Sequence, residues 1–499
     1  MRLPTTALLL TGALAHAQAT TDDKILTVKT TSGTYTGLVN ASVPDVNQWL
    51  GIPYGRPPVG ALRFMPPQPS VDHGAGLSAT AYKPICYQDS GNKTGIFWDI
   101  VPEFQNQDEQ SEDCLYLNIW APRKGPSGTD VAVVEKKLPV IIWVCGGGFK
   151  EGGGHAPYQV PDHWIQRTQT HLVVAFNYRL NIFGFPGTEM AKKNAGLLDV
   201  RLVVEWARDN VAGFGGDPDR MVLYGQSAGG GAVFSYAYSY PTDPIVSGFI
   251  ASSAGASTNN PADTNPSFQS VAEIVGCGNL TAAAELACMQ KVDPVVLRDA
   301  VVDNKKGFRP IVDDVTMFTN LTERLEKGLV AKKPLITGFT YNEMGAFGAA
   351  PSNTTTAPAA PSNSTASSGG LACGAKREAT ARAAYNLTTY SYMYSGNFSN
   401  VTPLPQLGGM HSSDIPMVFG THHLFRGNST EFQWQTSFAM QSFWVTFAAN
   451  SSADPRDHLG TAWPRYTPTD QRIVVFGNET LGAAYVAPEA AAQVFSGAC

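Results

Sequence analysis

A serine sits in the middle of "YGQSAGG" (Tyr224 to Gly230), directly after the apolar run "RMVLYG" and directly before the small-residue stretch "AGGGAVFSYAY". The run reads as a buried strand and the stretch can open a helix. A serine on a sharp strand-to-helix turn presents its hydroxyl at the carboxyl end of a sheet, with glycines on either side so that neighbouring chain can pass. The helix N-terminus behind it favours developing negative charge. Such a residue is suited to nucleophilic attack on an acyl carbon. The pattern G-x-S-x-G is weak by itself: about 0.2 matches are expected by chance in a chain of this length, and a glycine-rich turn without chemistry has the same letters.

A serine nucleophile needs donors for the oxyanion of its tetrahedral intermediate. "WVCGGGFKEGGG" (Trp143 to Gly154) follows another apolar run and supplies them, because glycines let backbone N–H groups turn toward a ligand that side chains would block. The rival reading is a phosphate-binding loop. It fails on spacing, since no G-x-G-x-x-G starts at Gly146 and no Gly-Lys-Ser/Thr follows.

The elements that must position these residues are legible as short continuous apolar runs: "LPVIIWV" ending at Val144, "HLVVAFNY" from His171, "RMVLYG" from Arg220, "KPLITGF" from Lys333 and "RIVVFG" from Arg472. Continuous rather than alternating runs suit a parallel sheet covered on both faces. Between the second and third, Leu198, Leu202 and Trp206 recur at i+4 with Val203, Ala207 and Val211 beside them, and Gly213, Gly215 and Gly216 stop the helix. Strand, helix, strand repeated predicts a doubly wound α/β sheet.

Bulk properties narrow the function. A 499-residue chain with 43% hydrophobic residues can bury a large core, and a formal charge of -6 with no dense basic run argues against nucleic acid as a partner. Residues 1–19 have Arg2 ahead of an apolar stretch, Ala7 to Leu14, and A-x-A pairs that place a signal-peptide cleavage after Ala17 or Ala19. No later apolar segment approaches the ~20 residues of a spanning helix. Twelve N-x-S/T sequons, at Asn40, Asn92, Asn279, Asn320, Asn353, Asn363, Asn386, Asn397, Asn400, Asn428, Asn450 and Asn478, fit an exported, extracellular glycoprotein. Of seven cysteines in an oxidising compartment, one must be left over. No C-x-x-C or Cys/His cluster is present, so a structural zinc site is not expected, and the dipeptide His422-His423 reads as packing or solvent-facing. The tract "AAPSNTTTAPAAPSNSTASSGG" (Ala349 to Gly370) is low-complexity and reads as a mobile glycosylated loop. No other stretch resembles a linker, so residues 20–499 are read as one domain.

Taken together, the chain resembles the type-B carboxylesterase/lipase family, the α/β-hydrolases that include cholinesterases and fungal lipases. The resemblance is carried in family order by "GIPYGRPPVGALRF" (Gly51 to Phe64), "SEDCLYLNIW" (Ser111 to Trp120), "GGGF" (Gly146 to Phe149), "NYRLNIFGF" (Asn177 to Phe185) and "FGGDP" (Phe214 to Pro218). It continues through "GQSAGG", "GFTYNEMGAF" (Gly338 to Phe347), "HSSDIPMVFG" (His411 to Gly420) and "WPRY" (Trp463 to Tyr466). It implies an α/β-hydrolase fold, with a mostly parallel central sheet and helices on both faces. The implied activity is hydrolysis of a small-molecule ester or lipid through an acyl-enzyme, with no metal or organic cofactor required. Ser227 matches the nucleophile, Glu343 the triad acid and His411 the general base, and N–H groups of Gly147, Gly148 and Ala228 would form the oxyanion hole. From the residues alone, Glu343 is one acid among many and His411 one histidine beside His422, His423 and His458. The resemblance also implies disulfides Cys86–Cys114 and Cys277–Cys288. Cys373 and Cys499 are left as a further pairing that sequence cannot establish, and Cys145 as the free thiol.

Three departures from the family pattern bear on function. Cys145 stands where many members carry histidine and others tyrosine, and is expected to be a buried, inert thiol. Gln226 stands where cholinesterases carry glutamate, which predicts no preference for choline esters over uncharged isosteres. The Glu343 to His411 interval is short, so a reduced helical region and a more open pocket are expected over the active site. Within the 86–114 loop, Phe97, Trp98, Ile100, Val101 and Phe104 read either as buried anchors or as a flap over the mouth. Two other functions share these features: a narrow tailoring esterase or acyl transferase on a natural product, and a non-catalytic binding or adhesion protein.

Overall fold

The computed structural model describes residues 26–89, 93–124, 137–188, 190–255, 266–348 and 369–487. The signal segment 1–19, the tract 349–368, Cys499 and the sequons at Asn92, Asn353 and Asn363 lie outside them.

Eleven strands form the central sheet: β1 (Leu38–Val39), β2 (Val46–Pro53), β3 (Tyr116–Pro122), β4 (Leu138–Val144), β5 (Leu172–Phe176), β6 (Gly216–Gln226), β7 (Gly248–Ser252), β8 (Leu335–Thr340), β9 (Thr389–Tyr394), β10 (Ile473–Asn478) and β11 (Gly482–Ala487). Their spatial order is β11-β10-β9-β8-β7-β6-β4-β5-β3-β2-β1. Strands from β5 through β4 and β6 to β10 are parallel, and the flanking pairs are antiparallel. The five apolar runs are β4, β5, β6, β8 and β10. Strand β6 extends beyond its run at both ends, from Gly216 to Gln226.

The strand period of two explains why those runs are continuous. In β4, Val140, Ile142 and Val144 enter one core with helices α1 (Ala195–Asn210) and α2 (Ala228–Ser239), through Leu197, Val203, Val233 and Phe234. Ile141 and Trp143 point the other way, into a second core built on helix α4 (Glu431–Ala449) through Met440, Phe443 and Trp444. A central strand covered on both faces has no polar side to write into its sequence. Helix α1 begins and ends close to where the periodicity places it, but Leu198 is only half-buried while Leu197, Val200 and Val204 are buried. Its contact face is wider than the i+4 stripe.

The loops over the sheet are tied down covalently and by polar contacts. Disulfides Cys86–Cys114 and Cys277–Cys288 close with Cα separations of 5.0 and 5.7 Å. Cys373 is disulfide-bonded and Cys145 is free and buried. Helix α3 (Gly369–Ala384) starts at Gly369, so the last two residues of the low-complexity tract are helical. Asparagines 40, 279, 320, 386, 397, 428 and 450 are exposed and Asn478 half-exposed. Asn400 differs: it is buried, and its amide donates to the carbonyls of His422 and Gly427 and to Ser429 Oγ at 2.9, 3.3 and 3.0 Å. In the folded chain that sequon has no nitrogen to offer a glycan.

Candidate active site

Ser227 lies between the last residue of β6 and the first of α2, with φ 56° and ψ -122°. A non-glycine residue in that region is strained, and its neighbours over-determine it. A Cβ on Gly225 would stand 2.3 Å from Gly229 O, and one on Gly229 would stand 2.0 Å from Val144 O. Only glycine at both positions lets the turn close against β4. The Ser227 N–H donates to Ser252 O at 2.8 Å, anchoring the turn to β7.

The glycine run packs against the same turn. A Cβ on Gly146 would approach Gln226 O to 2.8 Å and Ser227 Cβ to 3.0 Å. Gly147 and Gly148 have φ +112° and +63°, and the Gly147 carbonyl accepts from the N–H groups of Lys150 and Glu151 at 3.0 and 3.1 Å. Their own N–H groups and that of Ala228 meet no backbone acceptor among the described residues. These three N–H groups, one of them at the start of a helix, are candidate donors to developing negative charge. The preceding carbonyl, of Cys145, is held by the Tyr178 hydroxyl at 3.1 Å. Tyr178, in "NYRLNIFGF", thus braces the loop, a role sequence reasoning missed. Burial pushes the Cys145 thiol up to about 12, so it stays protonated and unreactive at neutral pH.

Glu343 and His411 come from loops after β8 and β9, stitched together by their neighbours. Asn342 N–H donates to Gly409 O at 2.8 Å, and its side-chain amide donates to Leu407 O at 3.0 Å. Glu343 is fully buried and His411 nearly so. Glu343 Oε1 accepts from Thr340 N–H at 2.8 Å, and its Oε2 is hydrogen-bonded to His411 Nδ1. With Nδ1 facing a carboxylate, Nε2 is the ring's free acceptor. Here Nε2 lies 3.2 Å from the Gln226 side-chain nitrogen, and the Ser227 hydroxyl makes no hydrogen bond among the described residues. The Gln226 amide thus occupies the imidazole nitrogen that faces the cavity.

Beneath the pair lies a second buried acid. Asp414 accepts at Oδ2 from the Tyr392 hydroxyl at 2.9 Å, and the same hydroxyl is 2.7 Å from Ser252 Oγ. Desolvation raises its carboxyl to about 6, with Glu343 adding to the rise and the Tyr392 bond and His411 opposing it. Its signal was present in "HSSDIP", but nothing local marked it as buried.

Ser227, His411, Gln226 and the glycines 146–148 line one cavity of about 430 Å³, within the range of small-molecule sites. Phe97, Trp98, Phe104 and Phe347 form its apolar wall, and the Phe347 ring centroid is 5.0 Å from that of His411. The two readings of the 86–114 loop divide by residue. Val101 and Phe104 are buried and Phe97, Trp98 and Ile100 half-buried, and of the five Phe97, Trp98 and Phe104 line the cavity. Arg426 pins the loop, donating to Ile100 O at 2.8 Å and pairing with Glu103. His422 and His423 pack on Trp434, with centroids 4.4 and 4.9 Å away, and take no part in the cavity lining. Among the described residues no group of three or more His, Cys, Asp or Glu could hold a metal ion, and no helix is long and apolar enough to cross a membrane.

A solved PNB esterase superposes with a TM-score of 0.77 over 94% of this chain and 98% of its own, at 24% identity, which establishes the α/β-hydrolase fold. Chlorogenic acid esterase of Aspergillus niger is 40% identical over 91% of both chains. Secreted lipase 5 of Gibberella zeae is 36% identical, covering 89% of this chain and 88% of its own length. Acetylcholinesterase of Bungarus fasciatus is 28% identical over 91% of this chain and 83% of its own. The model of the carboxylesterase family matches residues 23–369 and 363–491, so the chain belongs to the carboxylesterase family and is a carboxylic ester hydrolase.

Proposed function

We propose that the protein is a secreted serine esterase working through Ser227, His411 and Glu343, as one catalytic domain that follows a signal peptide ending at Ala17 or Ala19. The observation that carries the mechanism is the buried Glu343–His411 pair, whose histidine lines the same cavity as a strained serine, with N–H groups at Gly147, Gly148 and Ala228 that meet no backbone acceptor among the described residues. Ser227 Oγ attacks the ester carbonyl as His411 Nε2 takes its proton. The oxyanion is held by the N–H groups of Gly147, Gly148 and Ala228, and Glu343 keeps the ring oriented and stabilises imidazolium. His411 returns the proton to the leaving alcohol, and water then hydrolyses the acyl-enzyme by the same path in reverse order. Export is supported by the secreted relative and by two disulfides in the described chain.

The test uses secreted, purified protein with p-nitrophenyl esters from acetate to palmitate, and with chlorogenic acid, the substrate in the name of the 40%-identical relative. Turnover that falls by several orders of magnitude in a folded Ser227→Ala variant is the expected result. An active Ser227→Ala protein would refute the assignment.

A further inference from the structure

Besides His411, the cavity lining carries two ionisable side chains, Lys150 and Glu151. They are in opposite situations. Glu151 is engaged by Lys93, whose ammonium also lies 3.3 Å from Asp89 and 4.7 Å from the centroid of the Trp98 ring. That cluster satisfies itself. Lys150 is exposed, and no carboxylate, carbonyl or aromatic ring among the described residues takes its ammonium.

Its backbone is nevertheless anchored. The Lys150 N–H donates to Gly147 O at 3.0 Å, and the carbonyl of the residue before it, Phe149, accepts from Asn181 N–H at 2.8 Å. The side chain folds back over the glycine turn, because a Cβ on Gly148 would stand 3.4 Å from Lys150 Cε. The Lys150 side chain therefore lies at the rim beside the candidate oxyanion donors, with no partner among the described residues to neutralise it. A substrate that fills the cavity displaces water from this rim and strengthens any charge pair formed there. On the other side of the nucleophile, position 226 is a neutral amide, so no fixed negative charge at that position cancels the attraction.

Resting on the esterase reading above, we propose that Lys150 is a specificity-determining residue that favours esters carrying a carboxylate on the acyl or the alcohol part. The chemistry it selects is a monoanionic ester whose carboxylate reaches the rim while the ester carbonyl sits between Ser227 and the glycine loop.

The experiment compares two matched pairs on the full chain: 3-acetoxybenzoate with 3-acetoxybenzamide, and 4-nitrophenyl hydrogen adipate with 4-nitrophenyl adipamate. The readout is the anionic-to-neutral ratio of kcat/KM within each protein, so a general loss of activity cancels. For at least one pair the ratio is expected to fall about two- to fivefold in Lys150→Met, the size of a solvent-exposed ion pair. It should fall further in Lys150→Glu and hold in Lys150→Arg, and the effect should shrink in about 0.5 M salt. Ratios that stay at the wild-type value in Lys150→Met and Lys150→Glu for both pairs overturn the inference and leave the esterase reading standing. A wild type that turns over none of the four esters while hydrolysing uncharged p-nitrophenyl esters likewise overturns the inference and leaves the esterase reading standing.

Discussion

Replacing Asp414 with asparagine should remove a specific piece of the protein's pH-dependent stability. Asp414 is fully buried three residues after His411; one of its oxygens is held by the Tyr392 hydroxyl and the other has no hydrogen-bond partner among the described residues. Burial raises its carboxyl from 3.8 to about 6. Each tenfold change in proton affinity is worth about 1.4 kcal/mol, so this rise corresponds to about 3 kcal/mol. The folded chain holds this proton more tightly than the unfolded one, so folding takes up a proton between about pH 4 and about pH 6. The stability tied to Asp414 is complete below about pH 4 and is lost as pH rises through about 6. Asparagine keeps a carbonyl for Tyr392 and does not ionise. Urea unfolding of wild type and Asp414→Asn at pH 4, 5, 6 and 7 should show the variant gaining on the wild type by about 3 kcal/mol across that range. A difference that is flat with pH, or that moves the other way, refutes the reasoning.

Three further outcomes follow from the same contacts. Glu343→Gln should keep the fold yet cost on the order of 10⁴ in kcat on p-nitrophenyl esters, because the amide no longer stabilises imidazolium or enforces the tautomer that leaves Nε2 free. Asp199→Ala strands a buried guanidinium: Arg179 donates from Nε and Nη2 to Asp199 at 2.9 and 2.6 Å, with Arg179 N–H adding a third bond at 3.0 Å. Breaking such a pair costs about 3–5 kcal/mol, and the fall in the urea midpoint measures it. Cys145, 1% exposed, should react with a thiol reagent only after unfolding; rapid labelling of the native protein with loss of activity would contradict its burial.

Much of this protein is written locally. The Ser227 turn was legible because a buried strand, a serine and glycines two residues to either side form one short statement, and the close approaches at Gly225 and Gly229 are the physical reason for those letters. The β4, β5, β6, β8 and β10 runs were legible because strands buried on both faces must be apolar throughout. Strand β9, "TYSYMY", was not read from the sequence: its aromatic and hydroxyl side chains look half-exposed, and only packing shows all six to be buried. The widened contact face of α1 was hidden for the same reason, since a 3.6-residue period records the strongest stripe and not the number of neighbours.

Partnership is what the sequence by itself did not determine. Local order placed Ser227 on its turn and glycines beside it, but Glu343 and His411 are 68 residues apart, and nothing in either neighbourhood specifies the other; family resemblance, not periodicity, joined them. Only the tertiary structure gives the His411 Nε2 contact to Gln226, withdraws the Asn400 sequon into a buried amide network, desolvates Asp414 beneath the pair, and leaves Lys150 unmatched while its neighbour Glu151 is neutralised. Backbone geometry and hydrophobic burial act over a few residues and leave a periodic trace. Desolvation and hydrogen-bond satisfaction depend on which distant atoms arrive at the same point.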